Sequence, residues 1–208
     1  MNRVLLVGAG GFGREFRTWL EADGCLGAGC ELVGFLDDAP QPLSEGYDLP
    51  VMGSIRDYIP TAGDRLVMAI GAPRVKLQIA ELLLSRGATF MTLIHPTAII
   101  GRGVTIGTGC ILCPQSVVTC DATIGDFAFL NIGASVGHDA VVGPGCTLSP
   151  HADVTGHARL GRGVFLGTHA AVLPGVEVGD YATVGAGSIV LRRVRPGTTV
   201  MGVPAKRV

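Results

Sequence analysis

Aromatic residues make up only 5% of this 208-residue chain, with a single Trp, although hydrophobic residues reach 48%. A core with so few rings has to be filled by aliphatic and small side chains. Surplus charge is missing as well, because Lys+Arg 16 against Asp+Glu 17 leaves a net charge of -1. Without a basic excess there is nothing to hold a nucleic-acid backbone, which argues against that class of partner. No apolar run approaches the roughly 20 residues of a membrane span. The first residues lead directly into a strand-like run without signal-peptide design, so a cytoplasmic protein is expected. Six cysteines occur at 25, 30, 110, 113, 120 and 146. Cys110 and Cys113 form a CxxC, but no second pair completes a zinc set. Structural cysteines in a reducing compartment are expected, with no metal.

What the chain does have is a period of six. From residue 94 to residue 195 every sixth residue is Ile, Leu or Val, beginning at Ile94 and ending with Val190, which makes 17 hexads. Four residues after each stands a small residue: Ala at nine places, Val at four, Cys at two and Ser at two. Gly follows the aliphatic residue directly in nine of the 17. Neither a helix, at 3.6, nor an ordinary strand, at 2, writes such a period. A coil of three flat faces does, with one aliphatic plug, one small filler and one tight corner per face. Gly is expected to relieve φ at those corners. In this phase Cys110 and Cys146 fill inward slots, Cys113 follows a plug and Cys120 sits at a corner, so the CxxC side chains point apart. The pattern resembles the hexapeptide repeat of left-handed parallel β-helix acyltransferases, and the hand of the coil is taken from that resemblance. A solenoid that serves only as a scaffold is the alternative.

Residues 1–92 read differently from residues 93–208. Arg3–Val7 is an apolar run, followed by Gly8-Ala-Gly10-Gly11-Phe12-Gly13 and a helical stretch from about Arg14 to Glu21. Glu31–Leu36 is a second strand, ending in Asp37-Asp38. A Pro-rich loop (Pro40, Pro42, Pro50) precedes a short segment at Val51-Met52. Leu66–Ile70 is a further strand ending at Gly71, Pro73 opens a helix through Leu84, and Ala88–Leu93 completes the set. Strands alternating with helices imply a small Rossmann-like α/β domain with a parallel sheet.

Gly8, Gly10 and Gly13 form a GxGxxG between a strand and a helix, a context suited to binding a diphosphate. Asp37 and Asp38 follow Gly13 near the interval at which a ribose-binding carboxylate falls. About 90 residues are too few for the two mononucleotide halves that hold a dinucleotide, so no NAD is expected. A single nucleotide diphosphate carrying a sugar fits better, although Asp37-Asp38 can equally be a plain turn.

Chemistry on a dry, apolar solenoid belongs at its corners or outer faces. His95, His138, His151, His157 and His169 are the candidates. Three hexads make one coil, so His138 and His157 share a side in successive coils, about 4.8 Å apart, and His95, His151 and His169 share another. His138 alone is followed by an acid, Asp139, and a carboxylate on one ring nitrogen makes the other a better base.

The stretch Asn131-Ile-Gly-Ala-Ser-Val-Gly-His138-Asp139 resembles the active-site segment of bacterial sugar acetyltransferases. These comprise UDP-4-amino-sugar and GDP-perosamine N-acetyltransferases and sialic acid O-acetyltransferases. The resemblance extends over the Gly8–Gly13 loop, Phe35-Leu36-Asp37-Asp38, Ala69-Ile70-Gly71, the hexads and the ending Gly202-Val203-Pro204-Ala205-Lys206. It implies a role in glycan biosynthesis, with His138 as general base and Asp139 raising its basicity. It implies that Gly10, Gly11, Phe12, Asp37, Asp38 and Gly71 hold the nucleotide sugar. It also implies acetyl-CoA contacts at Asn131, Thr147, Gly156, Thr168, Ala186, Pro204 and Lys206. Relatives often carry a second His nine residues after the catalytic one; Thr147 stands there instead, as a weaker hydroxyl contact. Arg192, Arg193, Arg195, Lys206 and Arg207 form a basic patch suited to coenzyme A phosphates or simply a charged tail. Related enzymes place acetyl-CoA between neighbouring prisms, so a homotrimer is expected. The activity implied is direct N-acetylation of a UDP- or GDP-linked 4-amino-4,6-dideoxy sugar, the alternatives being O-acetylation of sialic acid or another sugar, or a non-catalytic nucleotide-sugar-binding protein.

Overall fold

The computed structural model describes residues 1–20, 25–39 and 49–208; Glu21 and the loop positions Pro40 and Pro42 lie outside the described residues. The N-terminal part runs β1 (Asn2–Val7), α1 (Gly11–Leu20), β2 (Cys30–Leu36), β3 (Val51–Gly53), β4 (Asp64–Met68) and α2 (Pro73–Ser85). The four strands form one parallel sheet in the order β3-β2-β1-β4. β1 reads as an unbroken apolar run because both of its faces are covered. Val4 and Leu6 pack with Phe16 and Leu20 of α1. Leu5 and Val7 pack with Leu77, Ala80 and Leu83 of α2. The strand expected over Ala88–Leu93 is reduced to a single bridge, Phe90 beside Leu66. By Leu93 the chain has already left the sheet, and its N–H donates to Cys110 O at 2.9 Å.

From Leu93 to Val190 the chain forms 17 two-residue rungs, and each rung ends on one of the aliphatic plugs. Rungs one full coil apart pair in parallel, as in Ser135 with Asp153 and Val136 with Val154. They stack into three sheets of five, six and six rungs, the last of these extended to eight strands by Thr199–Met201 and Lys206–Arg207, giving a left-handed parallel β-helix. Plugs and small fillers make up one continuous core that includes Cys110 and Cys146. Ile94, in the first coil, is 41% exposed because no coil lies beneath it. The Ser116 filler is fully buried, and its hydroxyl donates to Cys113 O at 2.9 Å. No helix among the described residues is long and apolar enough to cross a membrane.

The corners correct one expectation. Positive φ falls three residues after the plug, at every such position from Gly103 to Gly187, and eight of these residues are not Gly. The Gly directly after a plug answers a different demand, the close approach of the next coil: a Cβ on Gly101 would collide with the Thr119 carbonyl.

The N-terminal part packs on the outer face of the eight-stranded sheet. Ile111, Phe129 and Thr147 point outward there, yet all three are buried. Several of the rings gather at this seam. Phe12 lies 4.1 Å from Phe129, Phe90 lies 5.0 Å from Phe127, and the Arg74 guanidinium sits 4.1 Å above Tyr181.

Candidate active site

His138 stands at the corner that follows the rung Ser135–Val136 of the six-stranded sheet. Its Nδ1 is 2.9 Å from Asp139 Oδ2. With the proton on Nδ1 donated to the carboxylate, Nε2 would keep its lone pair. Both side chains are about half exposed. Asp139 holds a left-handed backbone with φ of 57°, a conformation Asp tolerates better than most residues. The hydrogen bond from His138 and the nearby His157 outweigh burial and hold the Asp139 carboxyl below the usual range.

The next coil shapes the same corner. Gly156 occupies the position matching His138 one coil on, and a Cβ there would stand 2.6 Å from His138 Nε2. The absence of that side chain leaves room for the ring. His157 occupies the position matching Asp139, with its Nε2 3.8 Å from Asp139 Oδ2. The two imidazoles meet edge to face with centroids 5.0 Å apart. His151 and His169 stack on each other at the second corner expected from the hexad count.

The glycine loop lies at the carboxyl end of β1. Gly13 has to be Gly because a Cβ would collide with Gly8 O as α1 packs on the strand. A Cβ on Gly10 meets nothing within 4 Å, so the fold itself makes no steric demand for Gly there. Asp37 closes this loop: Oδ2 accepts Ala9 N–H at 2.7 Å and Oδ1 accepts Ala39 N–H at 2.8 Å. Asp38 turns the other way, accepting the Ser54 hydroxyl at 2.8 Å and Arg56 N–H at 3.0 Å. Burial raises its carboxyl, but the Arg56 N–H, the Ser54 hydroxyl and the Arg56 charge outweigh this and hold it low. The structure thus brings Asp37, and not Asp38, to the glycine loop. Phe12 commits its ring to Phe16 and Phe129 across the seam.

Thr147 is the clearest correction. It is 3% exposed, and its hydroxyl donates to Gly71 O at 2.7 Å while accepting from Lys76 Nζ at 2.9 Å. A hydroxyl enclosed between the prism and the β4–α2 loop is closed to a thioester. Lys76, which sequence reasoning passed over, is fully buried and donates also to Cys146 O at 3.0 Å. Burial pushes its amine down to about 7. A neutral amine has two N–H groups for these two acceptors, so that form is fully satisfied. The signal was readable, since Lys76 lies on the buried stripe of α2 with Leu77, Ala80 and Leu83. Burial likewise pushes the thiols of Cys110 and Cys146 up to about 11 and about 12, and that of Cys113 well above the usual value. Cys110 lies in the prism core and Cys113 faces the N-terminal part.

The remaining positions fall elsewhere. Asn131, Thr168 and Ala186 follow rungs of the eight-stranded sheet, at a different edge of the prism from His138. Asn131 Oδ1 accepts Ile132 N–H at 2.7 Å, while Thr168 and Ala186 are exposed. Pro204 and Lys206 close the C-terminal end, where Lys206–Arg207 pairs antiparallel with Thr199–Met201. Arg192, Arg193, Arg195 and Arg207 line a hollow of about 240 Å³ at that end, without Lys206. A second cleft, of about 350 Å³, opens between Ala72–Arg74 and the prism residues Gly163, Phe165, Tyr181 and Thr183.

Comparisons with known proteins bear on both parts. Residues 3–83 match the PglD N-terminal domain, and residues 157–192 match the bacterial transferase hexapeptide, six repeats. A UDP-N-acetylbacillosamine N-acetyltransferase of Bacillus subtilis (strain 168) is 33% identical over 117 residues, 54% of this chain and 51% of that protein, so the match spans about half the length of that relative. PerB from Caulobacter crescentus, solved with CoA and GDP-perosamine, is 31% identical, with a TM-score of 0.89 over 100% of this chain and 98% of its own. The acetyltransferase domain of PglB from Neisseria gonorrhoeae FA1090, solved with acetyl coenzyme A, is 29% identical, with a TM-score of 0.86 over 100% of both chains.

Proposed function

Because the chain belongs to the family of bacterial sugar N-acetyltransferases that join a PglD-type N-terminal domain to a hexapeptide-repeat solenoid, we propose that it transfers the acetyl group of acetyl-CoA to an amino group on a nucleotide-linked sugar. The substrate class is a UDP- or GDP-linked 4-amino-4,6-dideoxy sugar, by analogy with the molecules bound or made by its relatives. Residues 1–92 would hold the nucleotide sugar through the loop at Gly10 and Gly11, with Asp37 bracing that loop and Gly71 beside it. Residues 93–208 would supply the chemistry.

The pairing of His138 Nδ1 with Asp139 Oδ2 at 2.9 Å carries this reading. The amine nitrogen attacks the thioester carbonyl carbon and passes a proton to His138 Nε2. The tetrahedral intermediate collapses, the C–S bond breaks, and coenzyme A leaves as the thiol, its sulfur taking back the proton held by the His138 imidazolium, which returns the ring to its neutral form. A thioester is already activated, so no covalent enzyme intermediate is required. The Asp139 carboxylate stabilises the imidazolium formed on the way. Proton transfer of this kind contributes about 10²- to 10⁴-fold to rate.

His138 and the exposed pair Thr168 and Ala186 occupy different edges of one prism. Two copies placed side by side bring such edges together, which supports a homotrimer with acetyl-CoA lying between copies. The test is acetyl-CoA consumption against UDP- and GDP-linked 4-amino sugars and against free sialic acid. Turnover confined to the nucleotide-linked amines is expected. Turnover on free sialic acid alone refutes the proposed substrate class.

A further inference from the structure

We infer that His138, Asp139 and His157 form a binding site for a single divalent transition ion, one that shuts off the base when occupied. Among the described residues this is the one group of three His, Cys, Asp or Glu side chains whose ligand atoms converge, all within 4.8 Å of one another. His138 Nδ1 lies 2.9 Å and His157 Nε2 lies 3.8 Å from Asp139 Oδ2. A tetrahedral ion with bonds of about 2.0–2.1 Å sets its ligands about 3.3 Å apart. The two distances straddle that value and the third pair lies within 4.8 Å, so rotations of these exposed side chains can close the site around an ion.

The scaffold holds the ligands ready. Asp139 and His157 occupy the same corner position in successive coils, and His157 N–H donates to His138 O at 2.9 Å. All three side chains are about half exposed or more, which leaves a fourth position open to water or a thiolate. Two imidazoles and one carboxylate suit zinc and its neighbours rather than calcium or magnesium.

The consequence for activity rests on the base assignment proposed above, whereas the binding does not. In the neutral free site the pairing with the Asp139 carboxylate favours the tautomer with the ring proton of His138 on Nδ1. An ion bound at Nδ1 takes that lone pair, so the proton moves to Nε2 and the ring remains neutral. Nε2 then presents N–H to the attacking amine and accepts no proton. The pairing that prepares the base therefore also allows it to be switched off.

Calorimetric titration of the full chain with ZnCl₂ in a non-coordinating buffer tests the site, using wild type and His157→Asn. Asn tolerates the left-handed corner at 157 and is a poor zinc ligand. One zinc per chain is expected, with affinity falling about tenfold or more in the variant, since even outer partners of metal ligands cost that much. Absence of saturable binding, or equal affinity in both proteins, overturns the site. Turnover is then measured with zinc and after chelation, each protein against its own chelated rate. Zinc is expected to lower kcat of wild type reversibly, leaving the KM for acetyl-CoA unchanged, and to spare His157→Asn at the same concentration. Zinc bound through His157 without loss of turnover overturns the shut-off and the base role together. Loss of activity in His138→Ala combined with absence of zinc binding to wild type removes the ion site alone.

Discussion

Asp139 and Gly156 serve one imidazole in opposite ways, the first by touching it and the second by staying clear. Replacing Asp139 with Asn removes the charge that favours the imidazolium, and kcat is expected to fall about 10²-fold or more. In Gly156→Ala the new methyl would meet His138 Nε2 at 2.6 Å. The ring then has to swing aside, and a displacement of that kind costs up to about 10²-fold in kcat, while circular dichroism and thermal unfolding stay near wild type. The pairing of His138 with Asp139 was legible because the two are adjacent in the chain. The role of Gly156 was legible only by counting one full coil forward, and the resemblance had assigned it to the cofactor instead. The contact between His157 and Asp139 was hidden for the same reason: the count from His138 ends on Gly156, just short of His157.

The seam between α2 and the eight-stranded sheet was much less legible than the sheet itself. Hexad phase placed all 17 plugs, because each rung repeats the same burial requirement. It says nothing of which outward residues are covered, so the enclosure of Thr147 and Lys76 depends on long-range packing that no local period encodes. The left-handed corners were misplaced for a related reason: Gly marks both close approach and positive φ, and Asp, His, Phe, Gln and Tyr carry much of the latter. Thr147→Val leaves Gly71 O and one Lys76 N–H without a partner, at about 1–3 kcal/mol for a buried unsatisfied group. Urea unfolding should report that loss, and the KM for the nucleotide sugar should rise more than that for acetyl-CoA as the β4–α2 loop loosens. Lys76 adds a pH dependence. Its folded value of about 7 lies below the usual 10.5, so between these the unfolded chain binds the extra proton. Stability of wild type relative to Lys76→Met should therefore rise with pH across that window, by about 1.4 kcal/mol for each pH unit. A flat difference in urea midpoints from pH 7 to pH 10 would contradict the buried neutral amine.

At the scale of the whole molecule, one edge of the prism carries His138 and another carries Thr168 and Ala186. A site completed by two copies predicts complementation: His138→Ala and Ala186→Trp, each inactive alone, should regain activity when refolded together. In random equal mixing about a quarter of the sites pair an intact edge from each copy, and light scattering should report three chains per particle. A site contained in one copy gives no recovery. The most direct test is the turnover of His138→Asn with acetyl-CoA and a nucleotide-linked 4-amino sugar, alongside calorimetric binding of acetyl-CoA to the same variant. A fall of about 10²- to 10⁴-fold in kcat with binding retained is the expected result. Turnover within a few-fold of wild type would show that some group other than this corner imidazole takes the proton.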